Sequence, residues 1–169
     1  WLVADRCRLV ALVGMGGIGK TVLATKVARQ VSSHFDYVIW RSLINAPPLT
    51  SMLRGWFHVL SQQQLNRLPD HLAEQLELLF DYLRRQRCLL ILDNVETIMQ
   101  QGSRAGQYRP GYEVYGQLIQ RFGDGEHQSC LLLTSRERPQ GLARLANDNT
   151  LIRFHQLAGL AKSAGLAIL

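Results

Sequence analysis

A chain of 169 residues, 47% of them hydrophobic, is long enough for one domain with a buried core and shows no compositional sign of disorder. The formal net charge is +6, but the basic residues are scattered rather than striped, which argues against a nucleic-acid track or a membrane-binding patch. No run approaches the roughly 18 uninterrupted apolar residues of a membrane span. Cys7, Cys88 and Cys130, lacking CxxC or Cys/His spacing, read as buried thiols of a reducing cytosol rather than disulfides or zinc ligands.

Short apolar runs alternate with helix-period segments, so the chain is expected to be an α/β domain with a mostly parallel sheet. The first run, Arg8 to Val13, leads into Gly14-Met15-Gly16-Gly17-Ile18-Gly19-Lys20-Thr21. A helix is predicted from about Lys20 to Ser32, with Leu23, Val27 and Val31 on its apolar face. Tyr37 to Trp40 forms a second strand, and Pro47-Pro48 punctuates the chain after it.

Two amphipathic helices come next, one marked by Met52, Leu53, Trp56, Phe57 and Leu60, the other by Leu72, Leu76, Leu79, Phe80 and Leu83. Asp70 is placed to cap the second, and Arg84, Arg85 and Arg87 suit the negative end of its dipole. Cys88 to Asp93 is apolar without alternation until its last residue, as a strand covered on both faces should be. A loop over about 100–112 precedes a helix carrying Tyr115, Leu118, Ile119 and Phe122. Cys130 to Thr134, a short helix, and Leu151 to Phe154 complete a set of five strands. The chain starts at Trp1 and stops inside a renewed apolar stretch, so it is expected to be part of a longer protein. Residues 1–156 would be the main domain and residues 157–169 the opening of a helical subdomain.

The glycine-rich segment has the form Gly-x-x-x-x-Gly-Lys-Thr, set between a strand and a helix, which is the pattern of a P-loop nucleoside triphosphatase. Successive backbone N–H groups converge on an anion only if the loop wraps tightly, and side chains would obstruct the wrap. The helix behind it adds its positive end. The ligand is expected to be ATP or ADP, with Lys20 bridging the β- and γ-phosphates of ATP and the Thr21 hydroxyl ligating Mg²⁺. The candidate nucleotide-binding set is Gly14, Met15, Gly16, Gly17, Ile18, Gly19, Lys20, Thr21 and Val22, joined by Arg136.

Asp93 closes a buried strand at the sheet edge that faces the ligand crevice, where it suits an outer-sphere or water-mediated contact to Mg²⁺; the plain alternative is an Asp that starts a turn with Asn94. Arg136, after Thr134-Ser135, ends the fourth strand in the equivalent place. A guanidinium there would read a γ-phosphate, unless it is an ordinary loop arginine.

Taken together, the glycine-rich loop, Phe35-Asp36-Tyr37-Val38-Ile39-Trp40-Arg41, Leu89-Leu90-Ile91-Leu92-Asp93-Asn94 and Leu132-Leu133-Thr134-Ser135-Arg136 resemble the NB-ARC family. That family belongs to the STAND class of signal-transducing P-loop ATPases, and the resemblance covers about residues 8–160. Trp40-Arg41-Ser42-Leu43 and Arg104 to Arg109 look closest to cyanobacterial members, which often carry WD-type repeats. The resemblance implies a three-layer P-loop fold with a five-stranded parallel sheet of order 2-3-4-1-5, and Arg136 as the sensor arginine. It also implies a cytoplasmic protein with further domains flanking this one, which rests with ADP and self-associates with ATP. The chain departs from the family at Asn94, where a second acidic residue is usual, and an amide cannot take a proton from water. Glu96 is the nearest substitute, so the candidate catalytic set is Lys20, Asp93 and Glu96. The short family motif that helps hold adenine falls upstream of Trp1.

The function expected is a regulatory ATP/ADP switch with slow or absent Mg-dependent hydrolysis. Its rival is a P-loop ATPase in which turnover is the purpose, of motor, helicase or kinase type; the chain shows neither a lid and substrate pocket nor a basic track for such work.

Overall fold

The continuous apolar runs become the inner strands of a single parallel sheet. Its strands are β1 (Leu9–Val13), β2 (Tyr37–Ser42), β3 (Cys88–Asp93), β4 (Cys130–Ser135) and β5 (Ile152–Gln156). They lie in the order β2-β3-β4-β1-β5, all neighbours parallel, so the expected fold and strand order are both observed. This computed structural model describes residues 1–158 apart from 66, 143 and 145–148. The short helix expected before β5 falls largely on the latter positions, and the expected helical subdomain on 159–169, outside the described residues.

Alternation along each strand divides the core between two faces. Leu9, Ala11 and Val13 of β1, Leu90 and Leu92 of β3, and Leu131 and Leu133 of β4 pack with helices α2 (Leu49–Leu60), α3 (Leu72–Arg85) and α4 (Glu113–Asp124). Val10 and Leu12, Leu89 and Ile91, and Leu132 pack on the other side with α1 (Lys20–Val31) and the N-terminal segment. Both faces are therefore dry, which is why these strands show no polar alternation.

The predicted apolar faces of α2 and α4 are buried as expected, as is most of that of α3, whose first member, Leu72, is half-buried. Two local expectations are corrected. On α1 the buried apolar positions are Ala24 and Ala28, with Leu23, Val27 and Val31 only half-buried on its flank. Small side chains at the centre let the helix approach the sheet closely, which a search for large apolar residues does not register. At α3 the N-cap is His71, with no side-chain cap, while Asp70 Oδ2 accepts a bond from Arg67 Nη2 at 2.9 Å on the surface.

Cys7, Cys88 and Cys130 are buried and free, and burial pushes the Cys88 thiol up to about 12. His127 lies against Phe80 and Phe122, with ring centroids 5.6 and 5.2 Å away, and its Nε2 is 3.0 Å from the Phe122 carbonyl. Burial, reinforced by the positive Arg8 and Arg84, lowers its pKa from 6.5 to about 4. The folded protein thus holds the neutral ring while the unfolded chain takes up a proton. The contribution is whole above pH 6.5 and is lost as pH falls towards 4. In urea unfolding across that window, the native chain should lose up to about 3 kcal/mol more than His127→Gln. Parallel curves for the two proteins would show that the ring is not held neutral.

Candidate phosphate-binding site

A parallel sheet delivers the C-terminal ends of all its strands to one edge, and at this edge β1, β3 and β4 lie side by side. The loop after β1 is held to β4 by the Gly14 N–H, which donates to the Ser135 carbonyl at 3.2 Å. Gly19 then takes φ 97°, a left-handed conformation that admits glycine readily, and α1 begins at the next residue. The first turn of α1 therefore points its free N–H groups at the loop.

Lys20 is 8% exposed, and its ammonium donates to the carbonyls of Gly14 at 2.7 Å and Met15 at 3.0 Å. The cation is thus folded back over the loop, inside the ring of backbone that would receive phosphate. Gly14 is required by close approach, and Gly16 is flanked tightly by a side chain that can move. A Cβ on Gly14 would stand 2.9 Å from the Leu157 carbonyl oxygen, and one on Gly16 3.2 Å from the Arg136 guanidinium carbon. Met15 and Val22 are 78% and 72% exposed, on the rim rather than in the cradle.

The Asp93 carboxylate, 4% exposed, is the hub of the polar network behind the loop. Its Oδ1 accepts bonds from the Thr21 hydroxyl at 2.9 Å and from the Thr134 hydroxyl, and its Oδ2 accepts one from Asn94 Nδ2 at 3.2 Å. Thr134 Oγ1 in turn accepts the Asn94 N–H at 3.1 Å, while Asn94 Nδ2 also reaches Ser42 Oγ at 3.4 Å. Asn94 itself sits at φ 63°, where Asn is better tolerated than most residues.

Thr21 and Asp93 together offer a hydroxyl and a carboxylate oxygen 2.9 Å apart at a helix N-terminus, a donor set that suits Mg²⁺. Among the described residues no group of three or more His, Cys, Asp or Glu could enclose a metal. The rest of the ion's coordination would have to come from phosphate oxygens and water, as Mg²⁺ prefers.

Arg136 and Glu96 meet above this network. Arg136 Nε lies 3.2 Å from Glu96 Oε1, and the Arg136 backbone N–H donates to Glu96 Oε2 at 3.3 Å. Lys20, Thr21, Asp93, Glu96 and Arg136 are therefore all brought to one edge by three different strands. Thr134 and Ser42 were missed by sequence reasoning. The available signal was a hydroxyl ending an apolar strand that runs beside the aspartate-bearing one.

A family model for the NB-ARC domain matches residues 1–158. An uncharacterised WD repeat-containing protein of Nostoc sp. is 47% identical over 98% of this chain, which covers 14% of that protein. A disease resistance protein of Arabidopsis thaliana is 29% identical over 86% of the chain, or 15% of its own length. The chain thus spans about a seventh of these relatives. Among solved structures, the Drosophila ORC bound to DNA aligns with a TM-score of 0.61 at 18% identity, over 96% of this chain and 40% of that one. Domain III of the Thermotoga maritima replication initiation protein DnaA aligns at 0.53 with 16% identity, over 98% and 60%. At such identities these likenesses show the fold alone. No helix among the described residues is long and apolar enough to cross a membrane.

The hub has a consequence for stability that needs no nucleotide. Thr134→Val keeps the shape but removes a donor to the buried carboxylate and strands the Asn94 N–H. It should cost about 2–4 kcal/mol in chemical denaturation, while Thr134→Ser costs under about 1 kcal/mol. Equal losses for the two substitutions would mean that the methyl group, not the hydroxyl, matters there.

Proposed function

Because this chain belongs to the NB-ARC family, we propose that its nucleotide-binding fold serves as an ATP/ADP switch within a longer signalling protein, with slow hydrolysis at most. The observation that carries the reading is the convergence of Lys20, Thr21, Asp93 and Arg136 on the glycine-rich loop. In this reading Lys20 exchanges its bonds to the Gly14 and Met15 carbonyls for oxygens of the β- and γ-phosphates. Thr21 and Asp93 hold the magnesium of the nucleotide, which when bound neutralises charge on the phosphates. Arg136 faces the position of the third phosphate, so it meets ATP and not ADP.

Slow turnover follows from Asn94. Its side-chain amide is spent on Asp93 and Ser42, and it has no basicity with which to activate water. Residues 1–156 would act as the nucleotide-binding unit and 157–169 as the start of a helical subdomain. Further domains of the same protein would enclose the site and carry the output, including self-association in the ATP state, in the cytoplasm. The WD repeats named for the Nostoc relative support the presence of such flanking domains.

Two measurements test this reading. Lys20→Ala should abolish nucleotide binding by calorimetry while leaving the fold largely intact, since a cation at a helix N-terminus does not stabilise the helix. Undiminished affinity would remove the site assignment. ATP turnover by the unaltered chain should fall well below about 1 s⁻¹, the low end of ordinary enzymes. Turnover at ordinary enzyme rates would favour an ATPase whose purpose is catalysis.

A further inference from the structure

Glu96 is placed where a catalytic base would be sought, yet both of its oxygens are engaged by a single residue. Oε1 pairs with Arg136 Nε at 3.2 Å, and Oε2 accepts the Arg136 backbone N–H at 3.3 Å. The carboxylate thus grips the arginine at two points, one at each end of its side chain. The post is firm: Glu96 stands on the short 3-10 turn Val95–Ile98, whose Val95 and Ile98 are fully buried. Glu96 is itself only 18% exposed, whereas Arg136 is 64% exposed.

The edge of the guanidinium that remains is the informative one. Nε lies in ion-pair contact with Glu96 Oε1, while no guanidinium nitrogen has a hydrogen-bond partner among the described residues. The guanidinium lies against Gly16, with Nη2 only 3.3 Å from where a Cβ on that glycine would be. A guanidinium whose Nε side faces a carboxylate still presents Nη1 and Nη2 as a planar fork, the geometry that suits phosphate oxygens. The segment leaving β4 is also tied down. The Gly106 N–H donates to Glu137 Oε2 at 3.2 Å, and the Gln140 N–H to the Gly106 carbonyl at 2.7 Å.

We propose that Glu96 is a positioning residue that holds Arg136 with its free fork aimed at the phosphate loop, and so raises the preference of this site for a nucleoside triphosphate over the diphosphate. The inference rests on the proposed role of Arg136 as the γ-phosphate reader. Two effects of Glu96 oppose each other. Its charge offsets part of the attraction between Arg136 and phosphate, while its grip removes the conformational freedom that a long exposed side chain would otherwise lose on binding. Arg136 is 64% exposed, so water screens the charge term there, whereas the lost conformational freedom is not screened, and the grip outweighs the lost attraction.

The test compares Mg-ADP with the magnesium complex of a non-hydrolysable ATP analogue, by calorimetry on the full chain and on Glu96→Ala, Glu96→Gln, Arg136→Ala and the double alanine variant. Thermal melts establish that each is folded, and Glu96→Gln carries the comparison if Glu96→Ala is not. Glu96→Ala should lower the triphosphate-to-diphosphate affinity ratio roughly three- to tenfold, as expected for freeing one long side chain. The glutamine variant, which keeps one accepting oxygen, should lose less. The double variant should match Arg136→Ala, because Glu96 acts only through that residue. An unchanged or raised ratio in Glu96→Ala, with Arg136→Ala still selectively weak for the triphosphate, would overturn the positioning role and leave the Arg136 reading standing. If Arg136→Ala does not change the ratio either, both fail together.

Discussion

A carboxylate buried at the end of a dry strand has to be surrounded by donors, and the architecture of this edge follows from meeting that demand for Asp93. Left unpaired in the interior, the charge would cost several kcal/mol. Three strands and one helix each contribute to the remedy. β3 supplies the carboxylate, β4 the Thr134 hydroxyl, α1 the Thr21 hydroxyl, and the turn after β3 the Asn94 amide. The Ser42 hydroxyl from β2 steadies that amide in turn. Satisfying one charge therefore fixes the relative positions of the elements that would hold a nucleotide. Under the proposed function, Thr21 and Asp93 belong both to this stabilising network and to the nucleotide site, so a substitution at either would disturb both.

The parallel sheet was legible because both of its faces are covered: a run such as Cys88 to Leu92 has to be an inner strand when no polar residue interrupts it. The glycine loop was legible because its spacing expresses a backbone requirement. The order of the strands was available only through the resemblance, since local pattern does not say which strand lies beside which. The close packing of α1 through Ala24 and Ala28 was hidden for a different reason. Periodicity weighs large apolar side chains, whereas the distance between a helix and a sheet is set by the smallest residues between them.

Within the site, legibility followed how far each partner lies along the chain. Lys20 and its loop carbonyls are neighbours and could be expected to interact. The Glu96–Arg136 and Thr134–Asp93 pairs join residues about 40 positions apart, and only the pairing of β3 with β4 brings them together. Asn94 shows the limit of reading by analogy. As a departure from the family it signals a missing base, but its positive φ and its bonds to Asp93 and Ser42 give it a structural post that the comparison of sequences does not reveal.

The chain that leaves β5 passes directly over the start of the phosphate loop. The Leu157 N–H donates to the Val13 carbonyl at 2.8 Å, and its own carbonyl and Cβ close over Gly14 so tightly that no side chain fits between. This contact is a short mechanical linkage. One residue makes both contacts, so a displacement of Leu157 would break the Val13 bond and uncover Gly14 together.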